Sequence, residues 1–221
     1  MKKIIYSLCL LFSFFSLTSC DDEGQEPILT GKWNYTKPYF EFEYAQDSVT
    51  INMVNKKMSI GVDDLKTLFL AMAQEKMGDY FQGITFQENA QLIVHAQMKD
   101  EVSLPIHASY TQKDNLLVVV LDAEDMKNLA GEIAGMIPAI SFKYVTTNNT
   151  LTLYLDQTYI HIIYASMESK IIPLIIQMMG IDFAQNPQLE QIIAAAVKDQ
   201  IANIFENIRY LRIGFELEKV Q

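Results

Sequence analysis

Three histidines, His95, His107 and His161, belong to the residue type most often found in metal and proton-transfer sites. All three lie in stretches that predict β-strands, and on neighbouring antiparallel strands their rings could converge on a metal ion. Their spacing contains no His-x-His or His-x-x-x-His pair, and three separate sheet histidines that bond locally or face water fit the sequence as well. The sequence therefore predicts no metal site and no cofactor.

Two carboxylates, Glu41 and Glu43, lie two residues apart and so share one face of a predicted strand. Paired carboxylates can act on a glycosidic bond, but alternating glutamates are also the ordinary solvated face of a strand. The chain contains no P-loop, no Gly-x-Ser-x-Gly, no His-Glu-x-x-His and no Gly-rich dinucleotide turn. We therefore predict that the chain is not an enzyme.

The N-terminus has the organisation of a secretory signal, with two lysines, an apolar run over residues 4–17 and small residues before Cys20. Residues 17–20, Leu-Thr-Ser-Cys, resemble the lipobox of bacterial lipoproteins, which implies cleavage before Cys20 and a lipid on its sulfur. Residues 1–19 are therefore predicted to be a signal peptide, and residues 20–28 a lipidated cysteine with an acidic tether.

The acidic run that follows Cys20 resembles the surface-export signal of lipoproteins from Bacteroidota, although a plain soluble spacer is the alternative. These features predict a protein anchored by lipid at the outer membrane, facing the periplasm or the cell surface, with the surface favoured. The chain carries 17 basic and 27 acidic residues, a balance that argues against a nucleic-acid partner. Cys9 is lost with the signal peptide and Cys20 is acylated, so no thiol remains for a disulfide or a metal.

The folded part is predicted to begin near Leu29. Gly31 and Trp33, two residues apart at the start of the first predicted strand, resemble the opening of lipocalin-like barrels, which implies that Trp33 plugs the closed end of a barrel. In the same strand Phe40 and Phe42 alternate with the glutamates, as expected of a strand with one buried face.

Helices are predicted to interrupt the strands. Four amphipathic helices are indicated, beginning near Asp63, Asp122, Ser169 and Asn186. Pro173 must lie in the first turn of the third helix or kink it. Residues 159–164 and 210–217 read as strands, and residues 147–150 as a hairpin turn. If all helices enter from equivalent strand ends, they should gather at one end or on one face of the sheet.

The chain resembles the uncharacterised lipocalin-like lipoproteins of gut Bacteroidota in four features taken together: the lipobox, the tether, the Gly-x-Trp opening and the alternation of strands with helices. The fold prediction is α+β: an antiparallel β-sheet curved into a lipocalin-like or half-open barrel, with about four amphipathic helices inserted between strands, as a single domain over residues 29–221. An open, curved sheet with helices on one face is the alternative.

The functional prediction is a binding protein that holds a small apolar or amphipathic ligand between sheet and helices. The predicted pocket residues lie on the helical stripes: Phe69, Met72, Met126, Ile133 and Met178. The alternative is a protein–protein interaction module of an envelope or nutrient-uptake complex, which predicts a filled core and an exposed apolar patch. In addition, the sequence Asp47-Ser48-Val49 resembles a short O-glycosylation signal of Bacteroidota, which implies a glycan on Ser48.

Overall fold

The computed structural model describes residues 28–53, 56–97, 103–125, 139–178 and 187–220. Its strands are β1 (Gly31–Tyr44), β2 (Ser48–Met53), β3 (Lys56–Gly61), β4 (Phe81–Phe86), β5 (Gln91–Gln97), β6 (Ser103–Lys113), β7 (Leu116–Leu121), β8 (Ile140–Thr147), β9 (Thr150–Asp156) and β10 (Ile208–Lys219). Its α-helices are α1 (Val62–Tyr80), α2 (Gln157–Met178) and α3 (Pro187–Asn207).

Eight of these strands form a closed antiparallel barrel in the order β1-β10-β9-β8-β7-β6-β5-β4. Each strand from β4 to β9 pairs with the next one along the chain, and β1 closes the barrel between β4 and β10. The remaining two strands, β2 and β3, form a separate hairpin. The predicted barrel is confirmed, and because it is closed, the alternative of an open sheet is wrong.

The two ends of the barrel differ in their connections. Since neighbouring strands run in opposite directions, β1, β7 and β9 end where β4, β8 and β10 begin, and helices α1, α2 and α3 all attach at this end, which we call the helical end. The other end, the turn end, has short connections at residues 87–90, 114–115 and 148–149. Left-handed backbone at Asp114, Asn115 and Asn148 makes these tight turns, and Asn and Asp tolerate that conformation well. The predicted gathering of helices at one end is confirmed for α1, α2 and α3.

The half of the barrel next to the turn end is filled by apolar side chains. Its inner-face residues Phe86, Leu92, Leu117, Leu151, Leu153 and Leu217 are all at most 1 % exposed. Trp33 belongs to the same cluster, and its indole Nε1 donates a hydrogen bond of 2.7 Å to the carbonyl of Leu29. An eight-stranded barrel is just wide enough for side chains to fill its interior, and here they do so.

Strands β1 and β10 extend beyond the barrel as a two-stranded ribbon. β4 stops pairing with β1 at Asn34, whereas β10 pairs with β1 as far as Tyr44. A bulge after Tyr35 shifts the register, so that Phe40 and Phe42 lie on the inner face of the ribbon. The helices cover that face. Phe69 of α1 stacks on Phe40 with 4.1 Å between ring centroids, and side chains of α2 and α3 pack there too.

Two details of the predicted secondary structure are wrong. Residues 159–164, predicted as a strand, lie in helix α2, which begins at Gln157 rather than near Ser169. The carboxylate of Asp156 caps this helix by accepting a hydrogen bond of 2.9 Å from the N–H of Tyr159. Pro173 lies inside α2, which excludes only the first of its two predicted alternatives, a place in the first turn. The helix predicted from Asp122 begins there, with Asp122 accepting from the N–H of Glu124, but most of it lies outside the described residues.

Candidate functional site

The inner wall of the barrel changes character between its two ends. Towards the helical end, inner-face side chains remain partly exposed although strands surround them. We call this group the cup; it consists of Tyr35, Phe81, Val94, Leu121, Phe142 and Phe215. These side chains project into the barrel, and together they form an apolar, concave wall toward its helical end. Small-molecule sites are usually concave and lined mainly by apolar side chains.

Four aromatic rings form a continuous arc around one side of the cup. Ring centroids are separated by 5.6 Å between Tyr35 and Phe81, by 4.8 Å between Phe81 and Phe215, and by 5.9 Å between Phe215 and Phe142. The rings come from β1, β4, β10 and β8 and meet at tilted or edge-on angles, the geometry aromatic pairs prefer. The arc gives the cup a wall suited to apolar or flat ligands.

The hydroxyl of Tyr35 is a buried polar atom in this apolar setting. It is inaccessible to solvent and has no hydrogen-bond partner among the described residues, and burial raises the pKa of Tyr35. An unsatisfied buried hydroxyl costs free energy. The arc is therefore less stable with a tyrosine at this position than it would be with a phenylalanine.

We expect Tyr35→Phe to leave the free energy of unfolding unchanged or to raise it by about 1–3 kcal/mol, because it removes an unpaired buried donor. Tyr144→Phe is the matched control. The Tyr144 hydroxyl accepts a hydrogen bond of 2.9 Å from Gln112, and its loss should lower the free energy of unfolding by about 1 kcal/mol. Urea unfolding followed by circular dichroism measures both variants. Destabilisation by Tyr35→Phe equal to that of the control would mean that the Tyr35 hydroxyl is hydrogen-bonded in solution.

The three histidines lie in three separate environments. Nε2 of His95 is 2.7 Å from the hydroxyl of Thr85, Nδ1 of His107 is 2.8 Å from Asp125, and the ring of His161 contacts the ring of Phe205. Within the described ranges, no three His, Cys, Asp or Glu side chains are grouped as a metal site requires. The histidines therefore have local partners.

His95 makes the fold sensitive to acid. Burial, and secondarily the positive charge of Lys32, lower the pKa of His95 below its usual 6.5. The unfolded chain thus takes up a proton on His95 more readily than the folded chain does. The part of the free energy of unfolding that depends on this group is therefore fully present above pH 6.5 and is lost as the pH falls below it. We expect the melting temperature of the parent to fall more between pH 7.5 and 5.5 than that of His95→Gln. Parallel pH dependences would contradict this.

The paired glutamates lie on the outer face of β1, opposite Phe40 and Phe42, as the alternation predicts. Glu41 is engaged by Arg212, with 3.3 Å between Oε2 and Nη1. The guanidinium of Arg212 lies over the rings of Tyr154 and Tyr210, at 4.6 and 4.7 Å from their centroids. Glu41 therefore takes part in a cation–π and ion-pair cluster on the barrel surface, which stabilises the pairing of β1, β10 and β9.

The predicted pocket residues are only partly within the described structure. Phe69 packs on the ribbon, where it stacks on Phe40, whereas the side chain of Met72 is 57 % exposed on the outer side of α1. Met126, Ile133 and the side chain of Met178 lie outside the described residues. The assignment of a pocket to these residues stays a prediction.

Three further predicted sites have different outcomes. Trp33 is 2 % exposed near the turn end, where it pairs with Lys219 and Ile84; its role as a plug stays a prediction. Ser48 is partly exposed at the start of β2, and its hydroxyl accepts a hydrogen bond of 2.9 Å from Ser59, so a glycan there would replace that contact. Cys20 lies outside the described residues.

The cup itself was missed in the sequence. Phe142 and Phe215 lie on inner faces where apolar and other residues alternate, whereas Val94 follows Leu92 and Ile93 in a run without alternation. Which inner-face residues keep solvent-accessible surface depends on the width of the barrel and on how far side chains fill it. Neither property can be read from the sequence of a single strand.

Comparisons with known proteins add little to this geometry. No protein-family model matches the chain, and no curated protein matches it. A crystal structure of an uncharacterized protein from Bacteroides eggerthii DSM 20697 is similar to part of it, with 14 % sequence identity and a TM-score of 0.31. The match covers 56 % of this chain and 88 % of that chain. A TM-score this low carries no argument about fold or function. Among the helices of the described part, none combines the length and apolar character needed to cross a bilayer.

Proposed function

We propose that this chain is a lipid-anchored extracytoplasmic binding protein that holds a small apolar or amphipathic ligand in the cup, beneath the helices. The observation that carries the proposal is the contrast along the barrel axis. Most inner-face residues near the turn end, such as Leu117 and Leu153, are fully buried, with Tyr110 partly exposed. The cup residues keep accessible surface, although their neighbour Ile106 is buried. A barrel selected only for stability would be filled along its whole length, because unfilled apolar space costs free energy.

The chemistry of the wall supports this ligand class. The cup residues are aromatic or aliphatic, apart from the hydroxyl of Tyr35. An apolar ligand gains about 25 cal/mol for each Å² of surface that it buries. The signal peptide and the lipid on Cys20 remain part of the proposal, and they place the cup outside the cytoplasm, at the outer membrane.

Native mass spectrometry of residues 21–221, purified without the lipid anchor, tests the proposal. We expect a co-purifying mass that denaturation releases, and its identity would give the ligand class. Ala96 shares the inner face of β5 with Val94, so Ala96→Phe should fill the cup and abolish the extra mass. Ile93→Phe, on the outer face of the same strand, should leave it unchanged. An apo mass for the parent, with no uptake of the membrane-lipid extract added to it, would contradict the proposal.

A protein–protein interaction module is the second candidate. Large apolar side chains are exposed on the outer sides of the helices, with Met72 at 57 %, Ile162 at 59 % and Ile192 at 65 %. Exposed apolar surface of this kind can mark a protein interface. This candidate predicts a protein partner that Ile192→Asp releases and that Ala96→Phe retains, the reverse of what a ligand in the cup predicts.

A further inference from the structure

The extended part of β1 has a free edge on the side opposite β10. β4 pairs with β1 only over Gly31–Asn34, and no other strand of the described chain pairs with Lys37–Tyr44 on that side. In a strand paired on one side only, alternate residues direct their backbone N–H and C=O groups away from the sheet. Such groups can accept an additional strand.

An open groove of about 490 Å³ follows this edge. Its lining includes four consecutive residues of β1, Phe40–Glu43, together with Lys66 of α1 and Tyr210 of β10. Successive side chains of a strand point to opposite faces. The groove therefore takes in both faces of β1 and the strand edge beside Lys66 of α1, and it also reaches Tyr210 of β10, which pairs with Glu43 on the other side.

A second groove of about 600 Å³ continues along the same edge. It shares Phe42, Glu43 and Lys66 with the first and reaches Asp47 and the first turn of α1. The N–H of Val62, at the start of α1, donates a hydrogen bond of 3.0 Å to the carbonyl of Asp47, which fixes the helix beside the edge. We call the two together the edge groove.

The edge groove is acidic. Its lining carries more carboxylates than cations: Glu43, Asp47, Asp63 and Asp64, besides Glu41, which Arg212 already pairs, against Lys66 and Arg209. Glu43 is exposed, and Asp63 is 97 % exposed even though it pairs with Lys66 at 3.6 Å. The field in the groove therefore attracts basic side chains, and with a net charge of −10 a second copy of this chain would be repelled.

We propose that the edge groove binds an extended, basic segment of a partner protein, which adds to the barrel as a strand beside β1. The unpaired backbone groups of Lys37–Tyr44 would supply the main-chain hydrogen bonds of such an added strand. The helices already cover Phe40 and Phe42 on the inner side, whereas Glu43 faces the open outer side. The occupant should therefore direct basic residues to the outer side, which every second residue of a strand reaches. This site is separate from the cup.

Fluorescence anisotropy with the full-length chain in detergent tests this inference. The probe is a labelled eight-residue peptide in which lysine and valine alternate. The comparison peptide has the same sequence with N-methyl groups on alternate amides, so it keeps the charge and cannot pair along an edge. We expect the first peptide to bind in a salt-dependent way and the methylated one to bind at least tenfold more weakly.

Charge reversal at one groove residue completes the test. Glu43→Lys should weaken binding of the lysine–valine peptide about tenfold. Glu218→Lys makes the same charge change at an exposed site near the turn end and should leave binding unchanged. Equal binding of both peptides, equal effects of both variants, or no binding would overturn the inference. Self-association in sedimentation that Glu43→Lys abolishes would also overturn it, since the occupant would then be a second copy.

Discussion

Gly214→Ala is expected to destabilise the barrel by about 3–5 kcal/mol, the range of the most damaging single substitutions. A Cβ atom at this position would lie 1.9 Å from the carbonyl oxygen of Leu153 and 2.6 Å from the Cα of Tyr154. Both contacts are with backbone, so no side-chain rotation relieves them. β10 and β9 would have to separate where Gly214 pairs with Tyr154, and the contact between the rings of Tyr39 and Tyr154 would open with them.

The matched control is the same substitution at Gly78. A Cβ there would meet nothing within 4 Å, and Gly78 lies inside helix α1. Since alanine favours a helix over glycine, Gly78→Ala should raise the free energy of unfolding by about 0.5–1 kcal/mol. Urea unfolding followed by circular dichroism measures both variants. Equal stabilities for the two would show that β9 and β10 do not approach as closely as the structure places them.

Trp33→Ala is expected to lower the free energy of unfolding by about 3–5 kcal/mol. The substitution leaves a large cavity in the filled half of the barrel and removes the donor that satisfies the carbonyl of Leu29. Trp33→Phe retains most of the ring volume and should cost less, by about 1–2 kcal/mol, for the lost hydrogen bond. Because Trp33 is the single tryptophan of the chain, circular dichroism must replace fluorescence as the readout.

Val145→Ala serves as the surface control for Trp33. Val145 is 51 % exposed on β8, and its truncation should change stability by no more than about 0.5 kcal/mol. A loss for Trp33→Ala as small as that of the control would contradict a well-packed core near the turn end. It would also remove the basis for assigning Trp33 the role of a plug.

Strand positions with one buried face were predictable because the alternation is local. Val49 is buried in β2, as its alternation with Thr50 predicts. In β7 burial alternates at Leu117 and Val119 although residues 116–121 are all apolar, so the sequence alone does not give the buried face there. Residues 159–164 were not predictable by composition, since their β-branched and aromatic side chains favour a strand. They form a helix because Asp156 caps it and Ile160 packs against the ribbon. Tertiary contact overrode local propensity.

The candidate sites were harder to predict from the sequence than the strands were. Phe142 and Phe215 come from strands more than 60 residues apart, and only barrel closure brings their rings together. The edge groove depends on where β4 stops pairing with β1, at Asn34, which is set by the bulges in both strands. Such features arise from register, and register is decided between strands rather than within them.

The parity of the strands determines which end of the barrel carries the N-terminal segment. β1 starts at Gly31 at the turn end, so the proposed anchor at Cys20 is tied to that end by a tether that can span at most about 35–40 Å. With such an anchor, the filled half of the barrel would be the tethered half. The cup and the edge groove lie toward the other end, so a ligand or partner could reach them without passing the tether.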